Sequence, residues 1–185
     1  VVWLDALNTI AGSGDNFTID SLIANTTLQA IDASPSAPAE HVGPLPSIAA
    51  NGFGNFTNGI YATAITAFRL DSILLKSNDA LDVRVNVWTD QPSAGGVVLQ
   101  QSELISLPAA GEHQVAVDLT VQPGNYFFNI DYVSGAGQLF RADGGASFPY
   151  VFTDVVSLDS INFANQLRYY YLFDWVVTPV CLGTQ

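Results

Sequence analysis

One stretch near the end of the chain constrains the fold more than any other. Residues 168–175 read Arg-Tyr-Tyr-Tyr-Leu-Phe-Asp-Trp, and five of these eight residues are aromatic. In an extended backbone, alternate side chains point to opposite faces. One face then carries rings only, namely Tyr169, Tyr171, Phe173 and Trp175, whereas Tyr170 and Leu172 would point to the opposite, outer face. Because burying each ring removes about 150–250 Å² from water, the stretch predicts a β-strand whose rings form the structural core between two packed sheets.

The middle of the chain shows the same two-residue period. The clearest case has one face made of Leu81, Val83, Val85 and Val87 and an opposite face made of Asp82, Arg84, Asn86 and Trp88. Short segments of this kind recur about every ten residues, separated by Gly, Pro, Asn and Asp turns, and no 3.6-residue pattern is present. We therefore predict an all-β fold, an antiparallel two-sheet β-sandwich that is jelly-roll-like.

The beginning of the chain differs in composition. Residues 32–47 contain four prolines, a density that excludes a helix interior or a central strand. We expect residues 1–66 to form an irregular or extended N-terminal segment with short strands, packed on the sandwich or on a neighbour. Residues 67–181 would form the sandwich, and 182–185 a tail or the start of a linker. Cys181 is the only cysteine, so any disulfide partner would lie outside this chain.

The charge balance limits the class of partner. The chain has 17 Asp and Glu against five Lys and Arg, a net charge of −12. Such a surface repels phosphate backbones, so we expect no nucleic-acid partner. No apolar run approaches the length of about 18 residues that a membrane span needs, so we expect no membrane insertion. Metal cations and neutral sugars remain as ligands.

The sequence gives no pattern typical of catalysis. Nucleophilic catalysis by Ser or Cys normally needs a histidine base, and the only two histidines, His41 and His113, lie in segments that read as solvated loops. Zinc-ligand spacings are missing as well. A pair of carboxylates suited to a glycosidase would arise by chance among 17 acids. We expect no enzymatic activity and name no catalytic residue.

Two groups of residues suit a sugar ligand, which presents an apolar ring face and hydroxyls that need fixed polar partners. The first group is Trp88 with Asp90, on the outward face and end of the clearest strand. The second is Arg141 with Asp143, near Tyr150. The more ordinary role for Trp88 is packing under a loop or second layer, and that for Arg141 is a structural ion pair.

Calcium is the only cofactor that we consider. Asp79 with Asp82 could contribute oxygens, but no Asp-x-Asp-x-Asp-Gly loop occurs, and ordinary turn roles are more common. Three Asn-x-Thr sequons, at Asn16, Asn25 and Asn55, would mark surface loops in a eukaryotic secreted protein.

Four motifs and a cysteine occur in an order that resembles a known family. They are Pro-Gly-Asn-Tyr (123–126), Leu-Phe-Arg (139–141), Phe-Pro-Tyr (148–150), Tyr-Tyr-Tyr-Leu-Phe-Asp-Trp (169–175) and then Cys181. This order resembles a β-sandwich module recurrent in large secreted, type IX-exported cell-surface proteins of Bacteroidota, such as adhesins, peptidases and polysaccharide-active enzymes. The resemblance implies an extracellular, cell-surface location, and it brings no catalytic residue with it.

We therefore expect a non-catalytic extracellular module of a larger cell-surface protein, acting in adhesion or carbohydrate recognition. The absence of Met and the start at Val1 also suggest a processed product or a part of something longer. Its partners would be a glycan or other cell-surface ligand, neighbouring domains of the same polypeptide, or copies of itself. One alternative is a structural subunit of a filament, surface layer or virion that self-associates through strand edges or its N-terminal segment. Another is an accessory domain of a secreted hydrolase.

Overall fold

The computed structural model describes residues 2–4, 10–13, 29–31, 33–49 and 52–182. These residues form an all-β fold, and no α-helix occurs among them. Two short 3-10 turns lie at Pro46–Ile48 and Pro92–Ala94. The strands are β1 (Val2–Leu4), β2 (Ile10–Ser13), β3 (Gln29–Ile31), β4 (Ala33–Pro35), β5 (Glu40–Val42), β6 (Phe53–Gly54), β7 (Gly59–Ala64), β8 (Phe68–Ser77), β9 (Leu81–Trp88), β10 (Val98–Gln101), β11 (Ile105–Leu107), β12 (Gly111–Val121), β13 (Gly124–Gly135), β14 (Leu139–Ala142), β15 (Tyr150–Phe152), β16 (Val156–Ile161), β17 (Tyr169–Tyr170) and β18 (Phe173–Leu182).

Two antiparallel sheets face each other and confirm the predicted β-sandwich. The first sheet has the order β10-β9-β13-β7-β16-β15, and β11 also pairs with β9. The second sheet is built around β8, which pairs with β12 on one side and with β18 and β14 on the other. From β8 onward the chain passes repeatedly from one sheet to the other, since β8, β12, β14 and β18 belong to the second sheet and β9, β13 and β16 to the first. This alternation is the connectivity of a jelly-roll-like sandwich.

The core lies between the inner faces of the two sheets. The four inward-facing apolar residues of β9 are at most 4% exposed, as the two-residue period predicts. Rings from the two sheets meet in the same layer, because Phe128 of β13 lies edge-on to Trp175 of β18 with 4.8 Å between the ring centroids. Tyr132 and Tyr171 make a similar contact at 6.2 Å. These contacts join the sheets into one packed unit.

The aromatic stretch is buried, but it is not the single strand that we predicted. Tyr171 has a positive φ of 59° and separates β17 from β18. Two tight turns occur there, in which the N–H of Leu172 donates to the carbonyl of Tyr170 and the N–H of Phe173 to that of Tyr171. The turns rotate the backbone, so Tyr170 and Leu172 are buried together with the four predicted rings. The prediction that Tyr170 and Leu172 point to an opposite, outer face was wrong for this reason.

Residues before 67 contribute to both sheets. Strands β4 and β5 pair with β18, and β6 pairs with β14. Strand β7 lies inside the first sheet, between β13 and β16. The sheets thus extend N-terminal to residue 67, where we predicted that the sandwich begins. A separate small sheet has the order β2-β1-β3.

Candidate carbohydrate-binding surface

Three aromatic side chains lie side by side on the outer face of the first sheet. Trp88 of β9 is opposite Phe127 of β13, and Phe127 is opposite Tyr61 of β7. All three alternate with residues that point into the core, so their side chains leave the sheet on the other side. The rings of Tyr61 and Phe127 are 5.1 Å apart between centroids. We call these residues the aromatic row; with neighbouring strands about 4.8 Å apart, it spans roughly 10 Å.

The two ends of the aromatic row are partly exposed, whereas its centre is buried. Trp88 and Tyr61 have intermediate exposure, and Phe127 is completely covered. Gly59, on the strand beside Phe127, makes room for this ring, because a Cβ atom at Gly59 would lie 2.8 Å from Phe127 Cζ. Phe127 therefore lies between two rings that solvent can reach, and its own ring contacts that of Tyr61.

A row of side-chain amides lies next to the aromatic row. Asn129 is opposite Asn86, which is opposite Gln101. The indole Nε1 of Trp88 donates to Asn129 Oδ1 at 2.9 Å, and Gln101 Nε2 donates to Asn86 Oδ1 at 2.7 Å. Arg84 Nη1 donates to Gln101 Oε1 at 2.8 Å. These hydrogen bonds fix the orientation of the indole and of the neighbouring amides.

A loop that follows β9 brings a carboxylate to the other end of the row. The hydroxyl of Tyr61 donates to Asp90 Oδ1 at 3.0 Å, and the N–H of Gln91 donates to the same oxygen at 2.7 Å. Burial, together with the hydrogen bond to Asp90 and its charge, raises the pKa of Tyr61, so the phenol stays protonated. The loop is tight, since a Cβ atom at Gly96 would lie 1.8 Å from the carbonyl oxygen of Asp90.

The structure thus brings the predicted residues Trp88 and Asp90 to one surface, with Tyr61 as the bridge to Asp90. Sequence reasoning missed Tyr61, Phe127 and Asn129. Phe127 had a usable signal, because it is a large apolar residue at an outward position of an alternating strand. Tyr61 had none, since it lies before the predicted start of the sandwich.

In the second predicted group, Arg141 and Asp143 contact each other, whereas Tyr150 makes contacts with other residues. Arg141 Nε lies 2.9 Å from Asp143 Oδ1, and Arg141 Nη2 donates to Asp143 Oδ2 at 3.3 Å. The structural ion pair that we considered for Arg141 is therefore present. Tyr150 has other contacts: its hydroxyl accepts from the N–H of Ser147 at 2.9 Å, and its ring lies edge-on to Tyr169.

The two aspartates considered for Ca²⁺ already accept hydrogen bonds from the protein. Asp79 accepts from the N–H of Ala80 at 2.7 Å. Asp82 accepts from the hydroxyls of Ser134, at 2.5 Å, and Ser106, at 2.7 Å, and these bonds lower the pKa of Asp82. Across the described ranges, no three His, Cys, Asp or Glu side chains are grouped so that they could hold a metal ion.

The remaining residues singled out from the sequence have local contacts. His41 Nδ1 lies 2.9 Å from Asp174 Oδ1, and His113 Nε2 lies 2.9 Å from the carbonyl oxygen of Ala109. Cys181 is exposed on β18. Among the described residues, no helix has the length and apolar character that crossing a membrane requires.

The structure describes only one of the three sequons, the one at Asn55. Asn16 and Asn25 lie outside the described residues. The amide of Asn55 donates to the carbonyl of Gly137 at 3.1 Å and accepts from the N–H of Leu139 at 3.3 Å. A glycan on Asn55 would therefore have to break contacts that hold this turn.

Comparison of the chain with protein-family models, with curated proteins and with solved structures gave no match. Its function must therefore be inferred from its own residues.

Proposed function

We propose that this chain is a non-catalytic carbohydrate-recognition module, and that it binds a glycan across the aromatic row. The observation that carries the proposal is the placement of Trp88 and Tyr61 at the two ends of one outer face, each hydrogen-bonded to a fixed polar group. Rings supply the apolar surface on which a sugar ring stacks, and the exposed amide of Gln101 and the exposed carboxylate of Asp90 supply directed hydrogen bonds.

The polar groups near the rings have bonding capacity left for a ligand. A carboxylate can accept about four hydrogen bonds, and Asp90 Oδ1 uses two, from Tyr61 and Gln91. A neutral sugar is compatible with the charge of −12, which would disfavour a polyanion. The aromatic row therefore fits a neutral oligosaccharide.

We further propose that the module works outside the cell as part of a larger surface protein, in adhesion or glycan capture. The support is the resemblance of the stretch 169–175 and the motifs before it to modules of type IX-exported proteins of Bacteroidota. Detection of the chain on the surface of intact source cells, with an antibody against this module, tests the location. Labelling seen only after lysis would contradict it.

A glycan array, probed with and without EDTA, is the first test of binding. A neutral oligosaccharide found there is then titrated calorimetrically against the wild-type chain and Trp88→Ala. We expect Trp88→Ala to weaken binding roughly tenfold or more, as loss of an aromatic side chain that anchors a ligand does. Loss of binding in EDTA would indicate a role for Ca²⁺ and would direct attention to Asp79 and Asp82.

A matched pair of variants separates the outer face from general destabilisation. Tyr61→Phe removes only the hydroxyl that donates to Asp90. Tyr126→Phe removes a hydroxyl from the same sheet, but on its core-facing side. We expect weaker binding in the first variant and unchanged binding in the second. The proposal would be contradicted if the folded chain bound no glycan on the array, or if the two variants had equal effects on binding.

A second candidate function is self-association as a structural subunit. Both edges of the first sheet carry exposed valines, Val98 on β10 (40% exposed) and Val151 on β15 (53% exposed). Exposed apolar edges are the sites at which strands of neighbouring molecules pair. Size-exclusion chromatography with light scattering decides between the two, because a monomer at high concentration would rule out the filament or shell subunit.

A further inference from the structure

Two of the five cationic side chains of this acidic protein meet at one carboxylate. The Nε atoms of Arg141 and Arg168 lie 2.9 and 3.0 Å from the same oxygen, Asp143 Oδ1. Two guanidinium groups and one carboxylate leave a local charge of +1 on a chain whose net charge is −12. The site is thus a locally positive place that attracts an anionic group.

Each guanidinium also stacks on an exposed ring. Arg141 Cζ lies 4.6 Å from the ring centroid of Phe56, and Arg168 Cζ lies 4.6 Å from that of Phe163. Phe56 and Phe163 are 37% and 39% exposed, and both lie edge-on to the buried Tyr170. We call these residues together with Asp143 the arginine–phenylalanine cluster. The stacking holds the planar guanidinium groups in place before any ligand arrives.

The cluster has fewer hydrogen-bond acceptors than donors. A guanidinium carries five N–H donors. Despite the short ion-pair distances, the buried Nε atoms of Arg141 and Arg168 and Oδ1 of Asp143 lack hydrogen-bond geometry. Within the described residues, the guanidinium of Arg168 has no hydrogen-bond acceptor at all, only the ion-pair contact with Asp143 and the ring of Phe163. A second carboxylate would supply acceptors to the Nη atoms of Arg168, whereas the two buried Nε atoms stay against Asp143.

We propose that the arginine–phenylalanine cluster binds the carboxylate of an acidic sugar, a uronate, at a place separate from the aromatic row. Planar guanidinium groups favour carboxylates through paired, parallel hydrogen bonds. The exposed rings of Phe56 and Phe163 offer apolar surface to the sugar ring beside that carboxylate. The charge of −12 disfavours densely anionic partners such as acidic peptides or nucleic acids, whereas one carboxylate matches the local charge of +1.

This inference rests on the proposed carbohydrate recognition, but it concerns a different strand and a different sheet. Arg141 belongs to β14 of the second sheet, whereas Trp88 belongs to β9 of the first. The two proposals can therefore fail independently. Binding of a neutral glycan with no binding of a uronate would overturn only the present one.

The test titrates the wild-type chain with methyl galacturonoside, which carries a single carboxylate, and with its methyl ester, in which that carboxylate is neutral. We expect measurable binding of the acid, binding at least about tenfold weaker for the ester, and a loss of affinity with added salt. Equal affinity for acid and ester, or no binding of the acid to the folded chain, would overturn the inference. This comparison needs no variant, so it holds even if a substitution impairs folding.

Variants then locate the site. Arg168→Gln should weaken binding of methyl galacturonoside by about tenfold or more, and Arg168→Lys should also weaken it, because an ammonium cannot donate in parallel pairs. Arg69→Gln is the matched control, since it removes a cation that is paired with Asp71 elsewhere on the second sheet. Equal effects of Arg168→Gln and Arg69→Gln would overturn the inference. So would uronate binding that is lost in Trp88→Ala and retained in Arg168→Gln.

Discussion

Replacement of Trp175 by alanine should lower the free energy of unfolding by about 3–5 kcal/mol. Trp175 is completely buried, and its ring meets Phe128 of the opposite sheet edge-on at 4.8 Å. A buried aromatic side chain removes about 150–250 Å² from water, worth roughly 4–6 kcal/mol at about 25 cal/mol per Å². Partial collapse of the core around the alanine would recover some of this.

The hydrogen bond of the indole contributes little to this cost. Trp175 Nε1 donates to the carbonyl of Leu172 at 2.6 Å, but that carbonyl also accepts from the hydroxyl of Tyr169 at 2.9 Å. Loss of the indole therefore leaves the carbonyl with a partner. Trp175→Phe, which keeps a ring and removes this donor, should cost only about 1–2 kcal/mol.

The measurement is urea unfolding followed by far-ultraviolet circular dichroism, because the variant loses a tryptophan fluorophore. Trp88→Ala is the control, since Trp88 is only partly buried on the outer face. We expect Trp88→Ala to cost clearly less than Trp175→Ala. A cost below about 1 kcal/mol for Trp175→Ala would refute the reasoning, since it would show that this ring does not fill the space between the sheets.

Three further predictions follow from single contacts. Tyr171→Phe should cost about 1–3 kcal/mol in urea unfolding, because the hydroxyl of Tyr171 satisfies the N–H of Phe56 in a partly buried turn; an unchanged midpoint would contradict this. Gly96→Ala should weaken binding of the neutral glycan, because its Cβ would displace the carbonyl of Asp90; intact binding would show that this loop is not used. Asp82→Asn should make the free energy of unfolding fall less as the pH is lowered. The pKa of Asp82 is lowered by its serine hydrogen bonds, so its contribution is present above the ordinary value of 3.8 and is lost as the pH falls through the lowered pKa. An equal loss of stability at low pH in the variant and in the wild-type chain would contradict this last prediction.

The fold class could be predicted from local patterns. Side chains along a strand alternate between its two faces whichever residues of the neighbouring strand they pair with. The inward residues of β9 were predicted one by one, and each is buried. The interruption at Tyr171 could not be predicted, since an aromatic residue with positive φ carries no sequence signal of the kind that glycine gives. The packing of Tyr170 and Leu172 on both sides of this break depends on neighbours from other strands.

The candidate sites were predicted only in part. Trp88 was recognisable as a large ring at an outward position, and Arg141 with Asp143 as opposite charges two residues apart. Their partners were not recognisable, because Tyr61 precedes Trp88 by 27 residues and Arg168 follows Asp143 by 25 residues. Nothing within either local segment specifies which distant side chain will lie beside it.

The sequence by itself determined that the chain is an all-β sandwich and which residues of its clearest strands face inward, because hydrophobic burial acts on each strand's own alternation. Only the tertiary structure decided that Trp88, Phe127 and Tyr61 form one row and that two arginines share Asp143. The physical reason is register: a shift of one residue between neighbouring strands would move these side chains to the opposite face, and register is set by packing across the whole sheet.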